Sequence, residues 1–110
     1  MYNSAFDTSI QACLTCAMAC EYCATACLKE DASKMASCIL IDRDCADICR
    51  QTAVFMQRNS ILTADMCLLC ASACEKCAEE CEKHEAEHCR QCAEACRQCA
   101  NACRKVTVQG

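Results

Sequence analysis

The regular spacing of cysteine is the feature that most constrains the fold. From Cys67 to Cys81, five cysteines follow one another at intervals of three, four, three and four residues, and the same frame begins again at Cys13 and at Cys89. Residues three and four positions apart lie on one face of an α-helix, so each frame predicts a helix with a column of thiols along one side. The three columns contain Cys13, Cys16, Cys20, Cys23, Cys27, Cys67, Cys70, Cys74, Cys77, Cys81, Cys89, Cys92, Cys96, Cys99 and Cys103.

A fourth segment continues this pattern with fewer thiols. Cys38, Cys45 and Cys49 are seven and four residues apart, which keeps them on one helical face. The 110 residues contain no proline, and the only glycine is Gly110, so the interior lacks the usual helix breakers. We therefore predict an all-α fold with helices over about residues 4–29, 32–57, 61–82 and 87–105, followed by a tail over residues 106–110.

Capping residues indicate the first boundaries of these helices. Asn3 or Ser4 can cap the first helix, and Asp31 or Ser33 can cap the second. Asn59 tolerates a left-handed backbone conformation, which places the second turn near residues 58–63.

The third turn is predicted from the register of the thiols. Residues 82–88 contain no turn-forming residue, and the column that ends at Cys81 would continue through His84 and His88. The next column starts at Cys89, one position out of line, and this slip rotates the column by about 100° on a straight helix. A turn between about residues 82 and 87 is the simpler explanation.

The lengths and spacing of the four segments predict their packing. Helices of about 20–26 residues with short connections typically form an antiparallel, up-down-up-down four-helix bundle. Alternating intervals of three and four are also the seam spacing of packed helices, so all the columns should face one axis. We expect a single domain over residues 1–110 with a cysteine-lined core.

Composition and charge argue against several classes of function. The formal net charge of −4, without a basic cluster, argues against nucleic acid or an anionic membrane as the partner. No apolar run approaches the roughly 20 residues that span a bilayer, and the start of the chain lacks the features of a secretory signal. We therefore expect a cytoplasmic protein. In that reducing compartment, 18 cysteines are better explained as metal ligands than as a disulfide scaffold.

Thiolate ligands select Cu(I), Zn(II) or iron–sulfur clusters. Cu(I) accepts two or three thiolates, so a pair such as Cys13 and Cys16 could hold one ion, whereas a tetrahedral zinc site would have to be built across helices. Because buried thiolates need charge compensation, we expect about one Cu(I) per cysteine, with bridging sulfurs.

Two alternatives to Cu(I) binding remain open. A zinc or mixed-metal thiolate buffer would use the same residues. An iron–sulfur or redox protein is less compatible, because cluster ligands favour irregular loops and a redox enzyme needs one activated pair beside a βαβ unit. No constellation in the sequence indicates an enzyme.

In three helices the frame reads Cys-x-x-Cys-Ala-x-Ala-Cys-x-x-Cys-Ala-x-x-Cys, starting at Cys13, Cys67 and Cys89. Together with the sparser second column, this pattern resembles the bacterial copper storage proteins over nearly the whole chain. The absence of an export signal is similar to their cytosolic branch. The resemblance implies a homotetramer of bundles that stores many Cu(I) ions, with storage and detoxification rather than catalysis as the role.

The resemblance also implies that copper enters near histidine or methionine at one end of the bundle. His84 and His88 lie at the predicted third turn, and Met35 is expected at the same end. The alternative interpretation is two solvated histidines on a polar turn. Phe55 and Met56 are expected at the opposite end, where packing is their typical role, so we expect that end to be closed.

Side chains outside the columns carry two further expectations. In the second helix either Ile41 or Asp42 can face inward, and the cost of an unpaired buried carboxylate favours an outward Asp42. Apolar residues beside or away from the columns could form contacts between protomers, namely Leu14, Met18, Leu28, Ile39, Leu40, Leu68 and Leu69.

Overall fold

The computed structural model describes residues 4–109, with side chains over residues 5–106. It contains four α-helices, α1 (Asp7–Leu28), α2 (Ala36–Gln57), α3 (Thr63–Cys81) and α4 (Glu87–Gln109), and a 3-10 turn over Ser4–Phe6 precedes α1. The described residues form no strand. The predicted all-α fold is therefore confirmed.

The helices form an elongated bundle of about 46 × 20 × 18 Å around one core. α1 and α3 each pack against both α2 and α4. Cys13 near the start of α1 contacts Cys103 near the end of α4, and Cys27 at the end of α1 contacts Cys89 at the start of α4. The thiols of α2 and α3 pair in the same reversed order. These contacts, with the short connections, give the antiparallel up-down-up-down arrangement.

The start of α2 differs from the prediction. The helix begins at Ala36 rather than near residue 32. Asp31 caps the preceding turn instead: its side-chain Oδ1 accepts a hydrogen bond from the Lys34 amide (3.3 Å), and its carbonyl accepts one from the Met35 amide (3.0 Å). The residue immediately before α2 is Met35, and it makes no side-chain cap.

The end of α4 also differs, because the predicted tail is helical as far as Gln109. Val106 lies three residues after Cys103, on the same helical face, and only 8% of it is exposed. Its burial and the lack of a breaker before Gly110 explain why the helix continues. Gly110 and Asn3 lie outside the described residues, as does the Ser4 side chain.

The two other turns agree with their sequence signals. Asn59 adopts a left-handed conformation with a φ of 51° after α2, and the Ser60 hydroxyl accepts a hydrogen bond from the Leu62 amide (3.0 Å). α3 ends at Cys81 and α4 begins at Glu87, as the break in thiol register predicts. The turn brings the fourth column back into line with the core.

α1 is long and apolar enough to cross a membrane by length and composition, with a mean hydropathy of 1.2 over its best window. This finding corrects the expectation that no segment approaches that limit. Much of the hydropathy comes from cysteine and alanine, and all five α1 cysteines are fully buried against the other helices. Packing inside the bundle accounts for the apolar face.

Candidate metal centre

The core of the bundle is lined with sulfur. All 18 cysteines are 0% exposed, and all are free thiols. Cysteines at positions that leucine would normally occupy in a bundle thus meet at one axis, which confirms the predicted cysteine-lined core.

Contacts between helices are as short as contacts within one helix. The Sγ atoms of Cys16 and Cys96, on α1 and α4, are 3.6 Å apart, whereas those of Cys16 and Cys20 on α1 are 4.0 Å apart. Cys49 on α2 likewise lies 3.6 Å from Cys74 on α3. Ligand sets are therefore built across the bundle as readily as along a single helix.

The thiols form groups of four whose sulfurs all lie within 4.8 Å of one another. Each of the following groups draws on at least three helices: Cys13, Cys70, Cys99 and Cys103; Cys16, Cys49, Cys74 and Cys99; Cys16, Cys20, Cys45 and Cys96; Cys20, Cys77, Cys92 and Cys96; and Cys23, Cys27, Cys38 and Cys89. Neighbouring groups share members such as Cys16 and Cys96. These thiols are placed to bridge two metal ions.

Burial favours the protonated form of the thiols in the absence of a cation. It raises the pKa of Cys89 to about 11, and it raises the pKa of Cys27 as well. A negative charge on one thiolate also disfavours ionisation of the next. A soft cation that replaces the protons removes both penalties, so metal binding and proton release are coupled.

Asp42 lies inside the core, so the expected outward orientation is wrong. The side chain is 0% exposed, and its Oδ1 accepts hydrogen bonds from the thiols of Cys77 (3.1 Å), Cys92 (3.4 Å) and Cys81 (3.6 Å). Ile41 packs against the core only partly buried. The expectation assumed an unpaired carboxylate, but thiols from α3 and α4 donate to it.

The surroundings of Asp42 favour its neutral form. Burial, and to a smaller extent the nearby Cys92 thiol, raise the pKa of its carboxyl from the ordinary 3.8 to about 8. Its hydrogen bond from Cys77 acts in the opposite direction and is outweighed.

His88 joins the thiols at one end of the core. Its Nδ1 lies 3.5 Å from the Sγ atoms of both Cys23 and Cys89, and 3.9 Å from that of Cys27. Its Nε2 lies 2.9 Å from Oε1 of Glu30. A proton on Nε2, donated to the carboxylate, leaves the Nδ1 lone pair directed at the thiols, which is how metal-binding histidines are commonly oriented.

His84 does not join them. Its Nε2 pairs with Oε2 of Glu80 (3.0 Å), one turn back towards α3. The ring lines an open cavity of about 470 Å³ between the α1–α2 and α3–α4 connections, together with Glu30, Met35 and Lys83. The sequence placed both histidines on one column, but the chain leaves the helix after Cys81, and only the second histidine reaches sulfur.

Hydrocarbon covers the opposite end of the core. Met56 is 0% exposed, and Ile10 and Val106 are each 8% exposed within the same cluster as the thiols. Phe6 packs against this cluster and is partly buried.

Comparison with known proteins identifies relatives over almost the full chain. Residues 2–108 match the family model of the copper storage proteins. The Cu(I)-bound copper storage protein BsCsp3 of Bacillus is 43% identical, with a TM-score of 0.89, and the match covers 93% of this chain and 97% of that one. A cytosolic copper storage protein from Streptomyces lividans, solved with five coppers, is 41% identical with a TM-score of 0.91, covering 94% and 92%.

One curated relative matches over a shorter region. The cysteine-rich protein YhjQ of Bacillus subtilis is 44% identical over 52 residues, which are 46% of this chain and 48% of that protein's length. The family match, by contrast, spans all four helices and every cysteine. The chain therefore belongs to the copper storage protein family.

Proposed function

We propose that this protein stores Cu(I) in the cytoplasm and so protects the cell against free copper. The observation that carries the proposal is the set of 18 buried free thiols, most of which lie in groups of four, several of them sharing sulfurs. The Bacillus relative is Cu(I)-bound, and the Streptomyces relative is cytosolic and was solved with copper.

Charge determines the stoichiometry of the proposed store. A thiolate core filled with about one Cu(I) per cysteine is neutral, whereas one divalent ion per four thiolates leaves two uncompensated charges in each group. Sharing of Cys16, Cys20, Cys96 and Cys99 between groups allows each sulfur to bind more than one ion. All 18 cysteines are the proposed ligands.

Copper is proposed to enter at the end that carries the histidines. His88 is the proposed first nitrogen ligand, because its Nδ1 lies beside three thiols while Glu30 holds its other nitrogen. His84 is assigned a weaker role at the surface of the same opening, where it lines the cavity.

The exposed apolar side chains support self-association. Tyr22, Leu40 and Met18 are each at least 65% exposed, and Leu68 and Leu69 are about half exposed. Surfaces of this kind commonly mark protein interfaces, and we propose a homotetramer of bundles. Native mass spectrometry of the copper-free protein would test this: a monomer at micromolar concentration would contradict it.

We assign the protein no catalytic role. The thiols are fully buried, and a redox enzyme needs an accessible, activated thiol. Turnover of a disulfide substrate by the reduced protein would contradict this assignment.

Titration of the reduced protein with Cu(I) under anaerobic conditions tests the storage proposal. A Cu(I) chelator of known affinity reports free copper, and elemental analysis after gel filtration reports bound copper. We expect tight binding up to about one ion per cysteine, with little change in helical circular dichroism. Saturation near one ion per four thiols, or displacement of the bound copper by an equimolar amount of Zn(II), would contradict the proposal.

A further inference from the structure

Asp42 makes one region of the core chemically different from the rest. The sulfur groups described above contain only thiols, whereas here a carboxylate from α2 lies against three thiols from α3 and α4. Its Oδ1 is the common neighbour of the three sulfurs. One oxygen and three sulfurs from three helices therefore lie together in this region.

The distances match those of a tetrahedral zinc site. Zinc lies about 2.3 Å from thiolate sulfur and about 2.0 Å from carboxylate oxygen, so a tetrahedral arrangement separates oxygen from each sulfur by about 3.5 Å. The Oδ1 atom of Asp42 lies 3.1, 3.4 and 3.6 Å from the sulfurs of Cys77, Cys92 and Cys81. The three oxygen–sulfur distances are therefore within about 0.4 Å of this geometry.

Ligand type distinguishes this region from its neighbours. Cu(I) is a soft ion that favours sulfur, whereas Zn(II) also binds carboxylate oxygen well. Cys38 lies beside the group, 3.6 Å from Cys81 and 3.8 Å from Oδ2 of Asp42, and supplies an alternative sulfur.

We propose that Asp42 and the three thiols around it form a Zn(II) site within the core. The site joins α2, α3 and α4, so zinc bound there would hold three helices together in the copper-free protein. The inference goes beyond copper storage and does not depend on it.

The test uses anaerobic, reduced, copper-free protein with one equivalent of Zn(II). Zinc affinity is measured by competition with a chromophoric chelator in the wild type, in Asp42→Asn and in Thr52→Val. Thr52 is the matched control, because it is a fully buried polar residue of α2 whose hydroxyl bonds to its own helix at Ile48. We expect Asp42→Asn to weaken the first zinc equivalent by at least about tenfold and Thr52→Val to leave it unchanged.

X-ray absorption of the wild type with one zinc ion gives a second readout that needs no variant. The expected nearest neighbours of the zinc are three sulfurs and one oxygen. Four sulfurs, or equal zinc affinity in the wild type and a folded Asp42→Asn protein, would overturn the proposal. Cu(I) capacity is measured on the same wild-type preparation, so failure of the zinc site and failure of copper storage are separate results.

Discussion

The two ends of the core use the same thiol columns but are completed by different side chains. At the end formed by the connections 29–35 and 82–86, His88 adds a nitrogen to the sulfurs and a charged cavity opens to solvent. At the other end Met56, Ile10 and Val106 cover the thiols with hydrocarbon. The repeated frame thus builds the interior, and we propose that the residues at its two ends determine access to it.

Substitutions at the hydrocarbon-covered end should lower the stability of the protein. Met56→Ala removes a fully buried side chain and should lower the free energy of unfolding of the copper-free protein by about 2–5 kcal/mol. Chemical denaturation under reducing conditions measures this loss. The rate of Cu(I) loading should stay at the wild-type value under conditions where the variant is folded. Faster loading would show that Met56 blocks a second opening.

The contribution of Asp42 to the stability of the protein should depend on pH. The folded protein holds a proton on Asp42 up to a pKa of about 8, but the unfolded chain loses it near 3.8. The folded state therefore binds more protons between these values, and stability falls as pH rises from about 4 to 8, by about 1.4 kcal/mol per pH unit. Asp42→Asn should lack this contribution.

Denaturation of the metal-free wild type and of Asp42→Asn between pH 4.5 and about 7.5 measures the difference in their free energies of unfolding at each pH. Contributions from other titrating groups are the same in both proteins and cancel in this difference. The Thr52→Val protein serves as the control and should keep the wild-type slope. Parallel pH profiles for the wild type and Asp42→Asn would contradict the burial of an otherwise ionisable carboxyl.

Substitutions at the histidine end of the core should change the rate of Cu(I) loading. His88→Ala should slow Cu(I) loading by about tenfold and leave the total capacity nearly unchanged, because one nitrogen is lost beside a full set of thiols. His84→Ala is the matched control, and its effect should be smaller because the ring pairs with Glu80 rather than with sulfur. Stopped-flow transfer of Cu(I) from a chelator measures both rates. Equal effects of the two substitutions would contradict a direct role for His88.

The smallest effect is expected at Glu30, which orients His88. Glu30→Gln keeps an acceptor for the Nε2 proton but removes its charge, so loading should slow by about two- to fivefold. Glu85→Gln changes the same charge on the lining of the same cavity and should have less effect. If both variants slow loading equally, the negative charge of the opening controls the loading rate, and the orientation of His88 by Glu30 does not.

The periodicity of cysteine was sufficient to predict the helices, the sulfur-lined core and the third turn. The α-helix is the regular backbone structure that places residues at intervals of three and four on one face. The shift of one position at Cys89 requires a break in the helix after Cys81. These features follow from the local geometry of each helix and do not require contacts with the other helices.

Features that depend on partners from other helices were not predictable in this way. The inward position of Asp42 requires thiols of α3 and α4 as donors. The different surroundings of His84 and His88 follow from the path of a short connection, since neither the spacing nor the composition of residues 82–86 specifies it. The helical end at Gln109 depends on burial of Val106.

The sharing of sulfurs between neighbouring groups has a consequence for transport inside the bundle. Because Cys16 belongs to two groups and Cys96 to two, an ion can form a bond in the next group before it gives up its last bond in the previous one. Shared sulfurs link four of the groups, from the one that contains Cys77 to the one that contains Cys13, and such stepwise exchange keeps Cu(I) ligated along that part of the interior. The proposed opening at the His88 end could then serve for both filling and emptying, since hydrocarbon covers the far end of the core.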